Sequence, residues 1–227
     1  MNTPARTLVD LSHAIEHGVV YYKGLPAPVI CDYLSREASR ELYEPGTEFH
    51  IGRVELITNT GTYIDCPFHR YADGRDTASM PLERFVDQPA LVVRAAAREA
   101  RAIDVAEISA QLAAHDVRGK AVLVHTGWDA LWGTDAYFEG HPYLTEQAAV
   151  WLRDAGAVLV GIDSFNIDNT EGGTRPVHTV LLREEILIAE HLCNLQQLPS
   201  AGFTFTAVPP KLVGVGTFPV RAFATLR

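Results

Sequence analysis

Apolar residues in this chain fall mostly in short runs and alternations, a length that suits strands better than helices. Such runs predict strands at 8–11, 51–57, 90–93, 121–124, 158–162, 186–188, 203–208 and 220–224. Helical spacing is confined to the intervals between them. Asp104, a natural N-cap, precedes Val105, Ile108 and Leu112 at i, i+3 and i+7. Thr145 opens a second helix through Leu152 that ends near Gly156, and a third, short one is expected over 179–184. No repeat, low-complexity tract or polar linker divides the chain, so one domain over residues 1–227 is expected. The mixture of elements predicts an α/β or α+β fold, and periodicity alone does not choose the topology.

Composition narrows the functional classes. A formal charge of -9 with no basic stripe argues against a nucleic-acid partner. No apolar run approaches the roughly 20 residues that span a bilayer, and the opening residues carry no apolar leader, so no membrane contact and a cytoplasmic location are expected. Cys31, Cys66 and Cys193 are odd in number and lack paired spacing, which points to neither a disulfide framework nor a thiolate zinc cage.

Candidate chemistry concentrates in residues 59–69, Asn-Thr-Gly-Thr-Tyr-Ile-Asp-Cys-Pro-Phe-His. The segment follows the apolar run at 54–57 and is expected to be a turn-rich loop that presents Asp65 and His69, since catalytic groups favour loops on rigid scaffolds. Pro67 restricts Cys66 to extended geometry and stiffens the path between them. Asp65 can ligate a cation, or merely stabilise a turn. His69, four residues on, suits proton transfer or ligation, against the commoner role of a satisfied surface imidazole. Far along the chain, His178 stands where a helix should begin. Glu190 follows a strand that reads as buried, where a carboxylate needs a partner. His125 and His191 are weaker candidates, and His13, His17, His50 and His115 read as surface or structural. There is no nucleophile elbow, phosphate-binding glycine loop, dinucleotide fingerprint or His-Glu-x-x-His helix. Turn formation accounts for Gly214-Val215-Gly216.

These residues resemble the cyclase family of metal-dependent hydrolases, which includes bacterial kynurenine formamidase and isatin hydrolase. The family hallmark, His-x-Gly-Thr-His-x-Asp-x-Pro-x-His, stands here from Asn59 to His69. The likeness extends through Asp10-Leu11-Ser12-His13, Gly161-Ile162-Asp163-Ser164, His178, Glu190, Asn194-Leu195 and Pro219-Val220-Arg221-Ala222. It implies the family's swivelling β/β/α-type fold and a homodimer or homotetramer. By position it makes Asp65 a ligand shared between two metal positions, His178 and Glu190 ligands of the second, and His69 the proton-transfer residue. The departure falls on the first position, where Asn59 and Tyr63 replace two histidines.

Amide and phenol oxygens bind zinc less readily than imidazole does. Three readings stay open. One metal is held by Asp65, His178 and Glu190; or an oxygen-rich site including Asn59 takes Mn²⁺ or Mg²⁺ in place of Zn²⁺; or metal is lost and Tyr63 and His69 act as an acid/base pair. The resemblance implies hydrolysis of a small amide, such as an aryl formamide or lactam, with Tyr63 donating to the oxyanion. Tyr21, Tyr22 and Phe68 are then candidate walls for an aromatic substrate, or ordinary core. A non-catalytic ligand-binding relative and a lyase or cyclase on the same scaffold are the alternatives.

Overall fold

The computed structural model describes residues 6–95 and 100–226. Residues 1–5, read above for a leader, lie outside them. The strands in chain order are β1 (Thr7–Asp10), β2 (Val29–Leu34), β3 (Ile51–Glu55), β4 (Tyr63–Asp65), β5 (Gln88–Arg94), β6 (Ala102–Ile103), β7 (Ala121–His125), β8 (Tyr143–Leu144), β9 (Leu159–Ile162), β10 (Leu187–Glu190), β11 (Phe203–Thr206), β12 (Thr217–Pro219) and β13 (Phe223–Leu226). The α-helices are the single turn α1 (Arg36–Ser39), α2 (Val105–Leu112), α3 (Glu146–Asp154) and α4 (Pro176–Arg183). None is long and apolar enough to cross a membrane.

Nine strands form one mixed sheet in the order β1-β13-β11-β5-β7-β9-β10-β4-β12. Its centre, β5-β7-β9-β10, is parallel, and the flanking pairs are antiparallel. The central strands are apolar on both faces because both are covered. On one face Val93, Val122, Val160 and Ile188 pack against Ile108 of α2, Leu152 of α3 and Leu181 of α4. On the other, Leu123, Leu159, Leu187 and Ile64 meet Phe205, Leu192 and Leu195. Side chains of Asp104 and Thr145 cap α2 and α3 by accepting from Glu107 N (3.0 Å) and Ala148 N (3.2 Å).

Several elements depart from the sequence expectation: the third helix begins at Pro176 rather than 179, the last strand runs Phe223–Leu226 rather than 220–224, and the short β6, β8 and β12 were not anticipated. Tyr63–Asp65 is not loop but a strand inserted between β10 and β12. Its three residues, bounded by Gly61 and Pro67, are too few to show a period. Glu190 lies within β10 rather than after it. Val29–Leu34, not anticipated, pairs with Ile51–Glu55 as a separate two-stranded sheet exposed along nearly its whole length. All three cysteines are free.

Candidate active site

Sheet register assembles the site. In the antiparallel ladder β4 sets Tyr63 opposite Glu190 and Asp65 opposite Ile188, while β12 sets Thr217 opposite Asp65. Cross-strand partners share a face, so the Tyr63 hydroxyl donates to Glu190 Oε2 at 2.5 Å and the Thr217 hydroxyl to Asp65 Oδ1 at 2.5 Å. Glu190 Oε1 accepts the Ile167 N–H at 2.6 Å. His178 enters from the first turn of α4. Asp168, in the loop before that helix, accepts from the Val177 and His178 N–H groups at 2.8 and 3.0 Å and lies 2.6 Å from His178 Nδ1. One carboxylate thus caps the helix and fixes the imidazole, leaving Nε2 facing Asp65 Oδ2 at 3.6 Å and Glu190 Oε1 at 3.9 Å. His69 closes the 3₁₀ turn Pro67–His69, with Nε2 3.9 Å from Asp65 Oδ1.

Gly216 holds this turn in place. Its carbonyl accepts the Cys66 N–H at 2.7 Å, and a Cβ there would lie 2.2 Å from the His69 nitrogen. The Gly214-Val215-Gly216 run is therefore more than a turn: Gly214 turns the chain at φ +75°, and Gly216 permits the main chain to touch the site.

Electrostatics follow from burial of several charges together. Burial alone would push the Asp65 carboxyl up, but His69, His178 and the Thr217 hydroxyl bring it below its ordinary value. Glu190 is pushed up to about 7 by burial, against the pull of His178, Tyr63 and Ile167. Of the two carboxylates, Asp65 holds a proton less readily, since it faces both imidazoles whereas Glu190 faces His178 alone. Burial lowers the affinity of His178 for a proton, yet Asp168 and Asp65 raise its pKa to about 10. The Tyr63 phenol is driven well above its usual range by burial and by Glu190 and Asp65, so it stays protonated.

These donors fit a cation. Asp65 Oδ2 is buried and has no hydrogen-bond partner among the described residues, with His178 Nε2 3.6 Å away. Asp65, His69 and His178 each bring a donor atom within 4.8 Å of the others, a spread that a small inward movement would gather to about 2.0–2.2 Å from one ion. His178 also shows the usual support of a ligating imidazole, a carboxylate on its other nitrogen. His69 has no such support among the described residues, and its side chain is 33% exposed. Tyr63, its O–H committed to Glu190, is not placed as an open oxygen ligand or as a free oxyanion donor. Asn59 lines the cavity beside the Tyr63 hydroxyl. Glu190, with one oxygen on the Tyr63 hydroxyl and the other on the Ile167 N–H, stands outside this group of three and 3.9 Å from His178 Nε2.

The site opens into a cavity of about 220 Å³ walled by Tyr22, Leu25, Asn166 and Arg175, among others. Tyr22 sits where an aromatic wall was expected. Tyr21 does not line it; it packs 5.3 Å from Trp132 with its hydroxyl 2.6 Å from Glu16 N. Nor does Phe68, which is 36% exposed. His125 and Asp163 belong to a separate polar cluster, in which Asp163 accepts from Thr126 and Gly127. His191 is buried, with Nε2 2.8 Å from the Phe165 carbonyl. Sequence reasoning missed Asp168 and Thr217, whose roles arise only from tertiary closure; the one available signal for Thr217 was its place beside Gly216.

Known proteins share this architecture. The Cyclase family model matches residues 9–169. A kynurenine formamidase of Erythrobacter litoralis (strain HTCC2594) is 30% identical over 170 residues, 75% of this chain and 74% of that one. Among solved structures, isatin hydrolase A of Ralstonia solanacearum superposes with a TM-score of 0.84 at 24% identity, covering 98% of this chain and 92% of that one, which speaks to fold alone. A protein of Bacillus stearothermophilus described as a predicted metal-dependent hydrolase gives a TM-score of 0.76 at 26% identity, covering 98% and 100%.

Proposed function

The chain belongs to the cyclase family, and from that premise we propose that it hydrolyses a small amide, an aryl formamide, lactam or related acyl compound, at a site holding one divalent metal ion. The observation that carries this reading is the buried Asp65 Oδ2, without a hydrogen bond among the described residues, facing a His178 imidazole already fixed by Asp168. Asp65, His178 and Glu190 would hold the ion, whether Zn²⁺, Mn²⁺ or Mg²⁺. When bound, it supplies Lewis acidity for the acyl carbonyl and charge compensation for the two carboxylates.

The chain's own groups do the rest. Asp168 holds the Nδ1 proton of His178, so that Nε2 is the nitrogen that would give up its proton and offer a lone pair to a bound cation. Thr217 and Tyr63 orient Asp65 and Glu190 through their hydroxyls, so Tyr63 acts as a positioning residue. His69, close to Asp65 yet partly open to solvent, takes a proton from the attacking water and delivers it to the leaving nitrogen. Retention of Asp65, His69, His178 and Glu190 around one cavity supports an enzyme over a non-catalytic relative.

The exposed β2–β3 arm supports a homodimer or homotetramer, because a two-stranded sheet is marginal alone and this one shows Tyr33 76%, Val54 59% and Ile51 47% exposed.

Chelation tests the function directly. Formanilide hydrolysis should fall to background after EDTA treatment and return on adding Zn²⁺ or Mn²⁺. Full activity in metal-free protein would contradict the reading.

A further inference from the structure

Two arginines, Arg70 and Arg175, line the same cavity as His69, His178 and Glu190. Arg175 stands just before α4, and its Nη1 donates to the carbonyls of Asn169, Gly172 and Thr174 at 3.3, 2.8 and 2.7 Å. These contacts anchor the guanidinium through one nitrogen and leave its other N–H groups free of main-chain partners. It sits beside the Tyr22 hydroxyl, offsetting part of the upward push that burial gives that phenol. Arg70 follows His69 directly; its Nε lies 3.4 Å from Thr179 Oγ1, and its guanidinium 5.3 Å from the Tyr71 ring centre. Among the described residues, neither arginine has a carboxylate within ion-pair distance. In a chain where acidic residues outnumber basic ones by 28 to 19, two guanidinium groups without acidic partners at one cavity form a local reversal of charge.

We propose that the substrate carries a carboxylate, held by Arg175 and Arg70 while its amide meets Asp65, His178 and His69. The inference rests on the hydrolase reading and names the substrate class for that site. A planar guanidinium matches a carboxylate through two parallel N–H···O bonds, and a pre-anchored one loses little freedom on binding. The bland reading, in which Arg175 only ties its loop and Arg70 only packs on Tyr71, leaves unexplained why both charges border the cavity.

The test uses 2-, 3- and 4-formamidobenzoate against formanilide, which share the formamide and differ in the carboxylate, together with calorimetric binding of benzoate against benzamide. One formamidobenzoate isomer should show a KM at least about tenfold below that of formanilide. Its kcat/KM advantage over formanilide should shrink about tenfold in Arg175→Gln and in Arg70→Gln, and partly return in Arg175→Lys. Benzoate should bind native protein more tightly than benzamide does, and each Gln variant should weaken it.

If no formamide is hydrolysed but benzoate binding shows this dependence, the carboxylate subsite stands and the amide reading falls. If benzoate binds no better than benzamide, or equally well in both folded Gln variants, the subsite is overturned whatever the turnover. Arg70→Gln keeps the test informative should Arg175→Gln fail to fold, since Arg70 lies exposed at the rim.

Discussion

At the scale of single residues, burial separates the histidines by task. His178 is buried between carboxylates, and His69 is partly open and has no orienting partner among the described residues. His69→Ala should therefore retain metal and thermal stability while losing roughly 10²- to 10⁴-fold in kcat. Loss of metal in that variant, measured by elemental analysis, would make His69 a ligand instead.

His191 does different work. Burial lowers its pKa to about 3 from an ordinary 6.5, so the folded state refuses a proton that the unfolded chain accepts. Its contribution is present in full above pH 6.5 and is lost as pH falls from there towards 3, at about 1.4 kcal/mol per unit of pKa difference. Urea unfolding from pH 7.5 to 4.5 should show a steeper loss for native protein than for His191→Gln. Parallel curves would contradict this.

That Asp65, His69, His178 and Glu190 would lie together was expected through the family resemblance, which gives their order and spacing; the residues alone left Asp65 as readily a turn former. Asp168 was not anticipated, since nothing near it in sequence marks a carboxylate that reaches forward to cap a helix and hold His178. Tyr63 was read as a replaced ligand, and its hydrogen bond to Glu190 became visible only once the two strands were paired.

At the scale of elements, the site is a product of register. Sliding β4 by one residue against β10 would turn Tyr63 and Asp65 to the opposite face and break their contacts with Glu190 and Thr217. The central apolar strands and the capped helices α2 and α3 could be read from sequence, because both carry enough residues to show their pattern. β4 could not, at three residues, and neither could β2, whose residues are exposed on both faces and obey no burial period.

Gly216 ties register to chemistry. In Gly216→Ala the new methyl would meet the main chain of His69 and Phe68 rather than a movable side chain, so relief requires shifting the catalytic turn. The variant should lose about 2 kcal/mol or more of stability and most of its metal affinity, read by denaturation and by metal titration. A stable variant that binds metal as before would show that the turn tolerates displacement.

At the scale of the whole molecule, the sheet's two covered faces make the fold, while the β2–β3 arm stands outside both cores. Its exposed Tyr33, Ile51 and Val54 are more than a lone arm would be expected to leave in water. Sedimentation of the native protein should give a dimer or tetramer, and Tyr33→Glu with Val54→Glu should shift it towards monomer. A monomeric native protein would remove the arm's proposed partner.

The central claim concerns the ion. Asn59 and Tyr63 stand where the family resemblance implies two ligands, and the Tyr63 proton is committed to Glu190, so a single position is proposed, built on Asp65. The most direct measurement is the metal-to-chain ratio of protein purified after saturation with Zn²⁺ or Mn²⁺, for native protein and for Asp65→Asn. The account predicts close to one ion per chain in the native protein and a large loss in the variant. Two ions per chain, or a ratio indifferent to Asp65→Asn, would contradict it.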